Sequence, residues 1–321
     1  MVPVFRFHDL LDNHSPSYVG EAGVGIRSHI ARAIRDADVV LALGIRFGEM
    51  TTDAYTLFAM PDADQRIIHV HPSDGELGKV VQASLPIQAN ASAFAEALRG
   101  SALRPSTSRS EWCSMLRAAH AAALVAPKQP GPLDMGEIMR WLQANLPEDV
   151  IITNGAGNFS IWPNKHFSYG RAARLLGPQS GSMGYGLPAA IAAKVAHPDR
   201  MVVCFAGDGD IQMNLQELGM AMQHEAQPIV LVLNNGMYGT IRMHQERTFP
   251  ERVSGTAIAN PDYVQLAMAY GFYAERVIAT EDFARAFERA TASTSGALLE
   301  LIIPPEQLAP GLSIDDARAG R

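Results

Sequence analysis

The strongest constraint on what this chain folds into lies in residues 201–238, MVVCFAGDGDIQMNLQELGMAMQHEAQPIVLVLNNGMY. Two apolar runs, Met201–Ala206 and Ile229–Leu233, each stop at a polar turn: Gly207-Asp208-Gly209 and Asn234-Asn235-Gly236. Short continuous apolar runs bounded by turn residues fit strands buried on both faces of a parallel sheet. The 24 residues 210–233 supply the second strand and a crossover helix, expected from about Asn214 to His224. Both turns therefore fall at the carboxyl ends of neighbouring strands, where open α/β sheets bind their ligands.

The rest of the chain repeats this grammar. At about 150 residues per domain, 321 residues suggest two domains. In the first hundred, Val39–Leu43 reads as a strand buried on both faces, Ile67–Val70 as another and Leu85–Ala89 as a weaker one, with helices at Ile26–Ala37 and Ala91–Leu98. Residues 101–132 form a linker: a Ser/Arg-rich stretch, a helix at about Glu111–Val125, then APKQPGP. A second α/β region covers 133–305, opened by Asp134 as a helix cap with Glu137 placed to close a capping box. Residues 306–321 read as a frayed tail. The fold class is α/β, with two Rossmann-like parallel-sheet domains.

Composition excludes several roles. Lys+Arg 26 against Asp+Glu 33 gives a net charge of −7, the wrong sign for a general nucleic-acid binder. No apolar run approaches the roughly 18 residues that cross a bilayer. Two cysteines, Cys113 and Cys204, are too few for a disulfide framework or a zinc site. A cytoplasmic enzyme is the expected class.

The chemistry of the two turns suits a diphosphate held through a hard cation. Mg²⁺ takes oxygen ligands in octahedral geometry, usually one or two carboxylates completed by phosphate and water. Asp208 offers a carboxylate, Asn235 an amide oxygen and Met237 a backbone carbonyl. Gly207 and Gly209 allow backbone N–H groups close to phosphate oxygens, and the helix from about Asn214 would aim its positive end at the same anion. Each turn alone also reads as a simple strand terminator; the pair at this spacing favours the metal–diphosphate reading.

These motifs resemble the signature of thiamine-diphosphate-dependent enzymes, and almost the whole chain, about residues 1 to 305, looks like their acetolactate synthase-like branch. The resemblance implies thiamine diphosphate and Mg²⁺ as cofactors, with Asp208, Asn235 and Met237 as the metal ligands. Gln179–Ala192 (QSGSMGYGLPAAIA) is similar to the branch's loop in which a methionine props the cofactor into a bent shape; that residue is Met183, and Gly181 would offer its carbonyl to the aminopyrimidine. Thr153–Trp162 (TNGAGNFSIW) resembles a further cofactor contact loop, with Asn158 and Phe159 as the contacts.

Residues 1 to about 100 resemble most of the branch's central domain, through DADVVLALGIRFGEMTT and IIHVHPSDGELGKV. The stretch after Gly44 departs from the flavin-dependent pattern, so FAD is not expected. Full-length members begin with a pyrimidine-binding domain that supplies an activating glutamate. The resemblance implies that this domain is missing here, through truncation, gene fragmentation or splitting of the enzyme, and that the chain alone is inactive. Glu217 and Glu246 are the nearby acids, and neither is expected at the pyrimidine.

The implied reaction is decarboxylation or carboligation of a pyruvate-like 2-oxo acid, in a homo-oligomer or with a separate pyrimidine-domain chain. Where biosynthetic synthases carry a tryptophan this chain has His244, a candidate acid–base residue. The alternatives are a benzoylformate- or 2-oxo acid decarboxylase-like enzyme and a non-catalytic cofactor-binding remnant.

Overall fold

The computed structural model describes residues 1–101 and 107–320. They form two compact units, the first ending at Ala123 and the second beginning at Leu124. Each is built on a parallel sheet.

In the first unit, α1 (Ser28–Arg35) precedes β1 (Val39–Leu43), β2 (Arg66–His71), β3 (Leu85–Gln88), α2 (Ala91–Arg99) and α3 (Thr107–Leu124). The strands pair in parallel in the order β1-β2-β3. Asn90 caps α2 by accepting from the Ala93 N–H at 2.8 Å. The helix within the predicted linker packs on this unit: Leu116 and His120 are buried and Arg117 donates to the Tyr18 carbonyl at 3.1 Å. Residues 102–106 of that linker lie outside the described residues. One expectation fails. β1 is not buried on both faces, because Val39, Leu41 and Leu43 are exposed while Ala42 is buried. Ala31, Phe47 and Ile67 pack one face of the strand. An unbroken apolar run hides this alternation, since period 2 shows only when the outward residues are polar.

The second unit runs α4 (Met135–Asn145), β4 (Ile151–Asn154), α5 (Ile161–Lys165), β5 (Arg174–Leu176), α6 (Gly186–Ala196), β6 (Val202–Gly207), α7 (Asp208–Ile211), α8 (Leu218–Gln223), β7 (Ile229–Asn234), α9 (Gly239–Thr248), α10 (Tyr263–Ala269), β8 (Tyr273–Val277), α11 (Thr280–Thr291), β9 (Ala297–Ile302), β10 (Gln307–Ala309), β11 (Leu312–Ser313) and α12 (Ile314–Arg318). Six strands pair in parallel in the order β5-β4-β6-β7-β9-β8. Every residue of β6 is buried, as its apolar sequence demands.

Alternate strand residues feed two cores. On one face Val203, Phe205, Leu231 and Leu299 meet Ile138 and Leu142 of α4 and Phe283 and Phe287 of α11. On the other, Cys204, Val230 and Leu298 meet Leu187 of α6, Leu218 of α8 and Tyr263 of α10. Each fully buried side chain of this size is worth about 1.5–3 kcal/mol. The chain leaves β4 toward β5 on one side and returns to β6 on the other. The order therefore reverses between β4 and β6, which marks the sheet's binding crevice.

Local details depart from the sequence reading. Asp134 caps α4 by accepting from Gly136 and Glu137 N–H, but Glu137 does not close a box; the Asp134 N–H donates instead to Thr280 Oγ1 at 2.7 Å. The expected helix from about Asn214 is present, but its first turn is 3₁₀. α7 ends at Ile211, Leu215–Glu217 form a 3₁₀ turn with Asn214 at its N-cap, and this turn runs directly into α8 at Leu218. The tail is not frayed. β10 and β11 form a small antiparallel hairpin, and α12 carries a complete capping box between Ser313 and Asp316.

Candidate functional site

The loops following β4, β6, β7 and β9 open into one cleft. Asn158, Phe159, Met183, Gly207, Asp208, Gly209, Asn235 and Met237 all line it. Two predicted residues do not. Gly181 is exposed with φ +71°, and His244 is exposed on α9, so neither belongs to the wall. Glu217 also lies outside it. Glu246 is wholly buried on α9, where Arg242 at 2.8 Å and Arg318 at 2.9 Å hold its carboxylate.

The glycines are dictated by packing. A Cβ on Gly207 would stand 2.7 Å from the Phe159 ring, and one on Gly209 would stand 2.5 Å from the Tyr238 ring. These contacts hold the loops after β4, β6 and β7 against one another, with Gly207 and Gly209 in the cleft wall. Asn158 ties the wall together further. Its N–H donates to Thr240 Oγ1 at 3.0 Å, the Thr240 hydroxyl donates to its Oδ1 at 2.9 Å, and its Nδ2 donates to the Leu308 carbonyl at 2.9 Å. The C-terminal hairpin is thus part of the cleft, with Gln307, Leu308 and Ala309 in its wall.

Asp208 sits 3% exposed at the end of β6. Its Oδ1 accepts from the Gly209 N–H at 3.0 Å; its Oδ2 accepts from the Gly236 N–H at 2.8 Å and from Asn260 Nδ2 at 2.7 Å. Loss of hydration pushes its carboxyl above the usual carboxylate range, against the pull of the Asn260, Gly209 and Gly236 hydrogen bonds. Among the described residues no Lys or Arg forms an ion pair with it. A buried carboxylate without a cationic partner is the group a metal ion would relieve. On the neighbouring strand Asn235 Oδ1 accepts from the Met237 N–H at 3.2 Å, which orients that amide oxygen in the turn.

Sequence reasoning missed Asp210, and the structure gives it a central place. It is buried, and its Oδ1 accepts from the Ala156 N–H at 3.0 Å and the Gly184 N–H at 2.9 Å. One carboxylate so joins the loop after β4, the loop before α6 and α7. A Cβ on Gly155 would overlap it at 2.1 Å, so glycine is required there. The fourth residue of the G-D-G-D run was the available signal. Asn260 and Thr240 were also missed, and no spacing rule pointed to either.

The donor set fits a hard cation bound with an anion. Among the described residues no group of three or more His, Cys, Asp or Glu could form a metal cage. The cleft wall carries Asp208, Asn235 and Met237, and a carboxylate, an amide oxygen and a backbone carbonyl are oxygen ligands of the kind Mg²⁺ shares with phosphate and water. Glycine-lined backbone beside it matches a phosphate partner.

Residues 155–301 match the thiamine pyrophosphate enzyme C-terminal TPP-binding domain, and residues 1–98 match the thiamine pyrophosphate enzyme central domain. The chain belongs to the thiamine pyrophosphate enzyme family. Within it, the chain is similar to acetolactate synthases. It is 30% identical over 295 residues to the acetolactate synthase isozyme 2 large subunit of Escherichia coli (strain K12), covering 90% of this chain and 52% of that one. Against the acetolactate synthase large subunit of Cyanidium caldarium it is 28% identical over 315 residues, 94% of this chain and 53% of the relative. Against the mitochondrial acetolactate synthase catalytic subunit of Saccharomyces cerevisiae it is 29% identical over 283 residues, 84% and 41%. The chain spans about half the length of the curated relatives it matches. Among the described residues no helix is long and apolar enough to cross a membrane.

Proposed function

We propose that the cleft of the second unit binds thiamine diphosphate together with Mg²⁺, and that the chain is the cofactor-binding part of an acetolactate synthase-like enzyme acting on a pyruvate-like 2-oxo acid. The observation that carries this reading is the meeting of the Asp208 and Asn235 turns, on the adjacent strands β6 and β7, in one cleft with Met183. Asp208, Asn235 and the Met237 carbonyl would hold the cation. The Gly207–Gly209 backbone and the loop at Asn158 would face the diphosphate, and Met183 would support the ring portion. When bound, the cofactor supplies an electron sink for carbon–carbon bond cleavage and formation at a 2-oxo acid.

The chain's own residues bind, orient and exclude water. Met183, Phe159, Leu308 and Ile241 give the cleft apolar walls, which strengthen every charge interaction within. The acids lining the cleft among the described residues are Asp208 and Asp210, and each is committed to backbone N–H donors. Neither is free to act as a proton donor toward a bound ring. His244, exposed on α9, makes no part of the wall and is given no step. The chain by itself is therefore proposed to bind cofactor without rapid turnover. The names of its relatives, large subunit and catalytic subunit, favour assembly with further chains.

Calorimetric titration of thiamine diphosphate and Mg²⁺ into the purified chain tests the reading. Binding by the wild-type chain and its loss by at least a hundredfold in Asp208→Ala are expected. Equal affinities would refute the assignment of the cleft.

A further inference from the structure

A line of amides runs from the surface of the second unit to Asp208, and the cofactor reading leaves it unexplained. The exposed Arg276 donates through Nε to Glu300 Oε2 at 2.6 Å, and Glu300 itself is buried in β9. Glu300 Oε1 accepts from Asn234 Nδ2 at 2.7 Å. Asn234 Oδ1 accepts from Asn260 Nδ2 at 2.9 Å, and that same Nδ2 donates to Asp208 Oδ2 at 2.7 Å. On its other side Asn260 Oδ1 faces Gln212 Nε2 and the Tyr263 hydroxyl, each at 3.0 Å.

The direction of every amide follows from the Glu300 end together with the Gly236 N–H, which donates to Asn234 Oδ1 at 3.0 Å as well as to Asp208 Oδ2. A carboxylate paired with a guanidinium only accepts hydrogen bonds. Asn234 must then turn its NH₂ toward Glu300 and its oxygen toward Asn260. Asn260 in turn must present its NH₂, whose two hydrogens serve Asn234 and Asp208. Reversal of Asn260 would set its oxygen against Asp208 Oδ2, and reversal of Asn234 would set its oxygen against Glu300 Oε1 and its NH₂ against that of Asn260. With Asn260 and the Gly236 N–H both on Oδ2, that oxygen is saturated, whereas Oδ1 carries only the Gly209 N–H.

We infer that Glu300 is a positioning residue which, through Asn234 and Asn260, fixes Asp208 so that Oδ1 is the oxygen offered to the cation. The inference rests on the proposed reading of Asp208 as a metal ligand. Glu300 does not contact Asp208; its influence passes through two amides whose polarity it sets together with the Gly236 N–H.

The test is Mg²⁺ titration into the purified chain with saturating thiamine diphosphate, beside melting of the ligand-free chain. Glu300→Gln keeps the shape but turns an N–H toward either Arg276 or Asn234, both of which donate. A hydrogen bond to a charged group is worth enough to predict about a ten- to hundredfold weaker Mg²⁺ affinity. Adding Arg276→Ala to Glu300→Gln frees the new amide to turn its oxygen to Asn234, so the double variant should recover most of the affinity. A merely structural ion pair predicts the opposite, with the double variant no better than the single. Asn260→Ala, at a half-buried loop position, should show the same ten- to hundredfold loss, and it keeps the inference testable should the Glu300 variants fail to fold. Asp208→Ala separates the two readings. Wild-type Mg²⁺ affinity in Asp208→Ala, or no binding by the wild type, overturns the cofactor site and this inference with it. Loss in Asp208→Ala alongside unchanged affinity in Glu300→Gln and Asn260→Ala, or no recovery in the double variant, overturns the positioning role alone.

Discussion

Replacing Asp210 by alanine should loosen the cleft from beneath. The carboxylate accepts from the Ala156 N–H at 3.0 Å and the Gly184 N–H at 2.9 Å, and removal of its oxygens leaves both donors without that acceptor. A buried donor left unmade costs about 1–3 kcal/mol. Gly184 is buried and carries the full penalty; Ala156 is half-buried, so water recovers part of its share. The sum is about 2–4 kcal/mol. For a domain of this size each kcal/mol moves the melting temperature by about 2–4 °C, so a fall of about 5–15 °C is expected. Scanning calorimetry of the ligand-free chain measures it. Asp210→Asn retains an acceptor oxygen without the charge and should lose about half as much. Because the same carboxylate joins two walls of the cleft, Asp210→Ala should also weaken thiamine diphosphate binding. A melting temperature within about 2 °C of wild type, under 1 kcal/mol on the same scale, would show that the two amides have other partners and that Asp210 does not join the loops.

Four further outcomes are expected. Arg318→Ala removes one of the two arginines on the buried Glu246 and should expose the segment from Pro304 onward to chymotrypsin at neutral pH, whereas the wild-type segment stays protected. The Arg318 hydrogen bond, with the Glu251 N–H and Arg242, pulls the Glu246 carboxyl down to about 2. A depressed pKa means this contact is intact above about 4.5 and is lost as the pH falls toward about 2, so wild-type protection against pepsin should fail only within that window. Burial pushes the Cys204 thiol up to about 12, so alkylation of the native chain at pH 8 should label Cys113 and spare Cys204 until denaturant is added. The purified chain should carry no flavin absorbance, since the stretch after Gly44 departs from the flavin-dependent pattern; a yellow preparation would refute this.

Much of the fold was legible because the central strands are nearly all apolar. β6 and β7 lie buried within a six-stranded sheet, so their sequences could be little else, and the polar turns that end them stand out. The edges were not legible. β5 is three residues long and β8, YAERV, carries charges that an edge strand tolerates, so neither shows an apolar run. The exposed face of β1 was hidden for the opposite reason, because outward Val39, Leu41 and Leu43 look like core.

The site divides along the same line. Asp208 and Asn235 could be picked out from sequence because each belongs to a polar turn that ends an apolar strand, whereas Asp210 and Thr240, which also line the cleft, were not. What holds those donors still comes from packing between distant segments. Asp210 reaches across to Ala156 and Gly184, Asn260 reaches back to Asp208, and the C-terminal hairpin brings Leu308 to Asn158. These partners are separated by 26 to 150 positions in the chain. A hydrogen bond depends on two groups meeting within about 3 Å, and no local pattern records which distant residues the packing of the sheet will bring together.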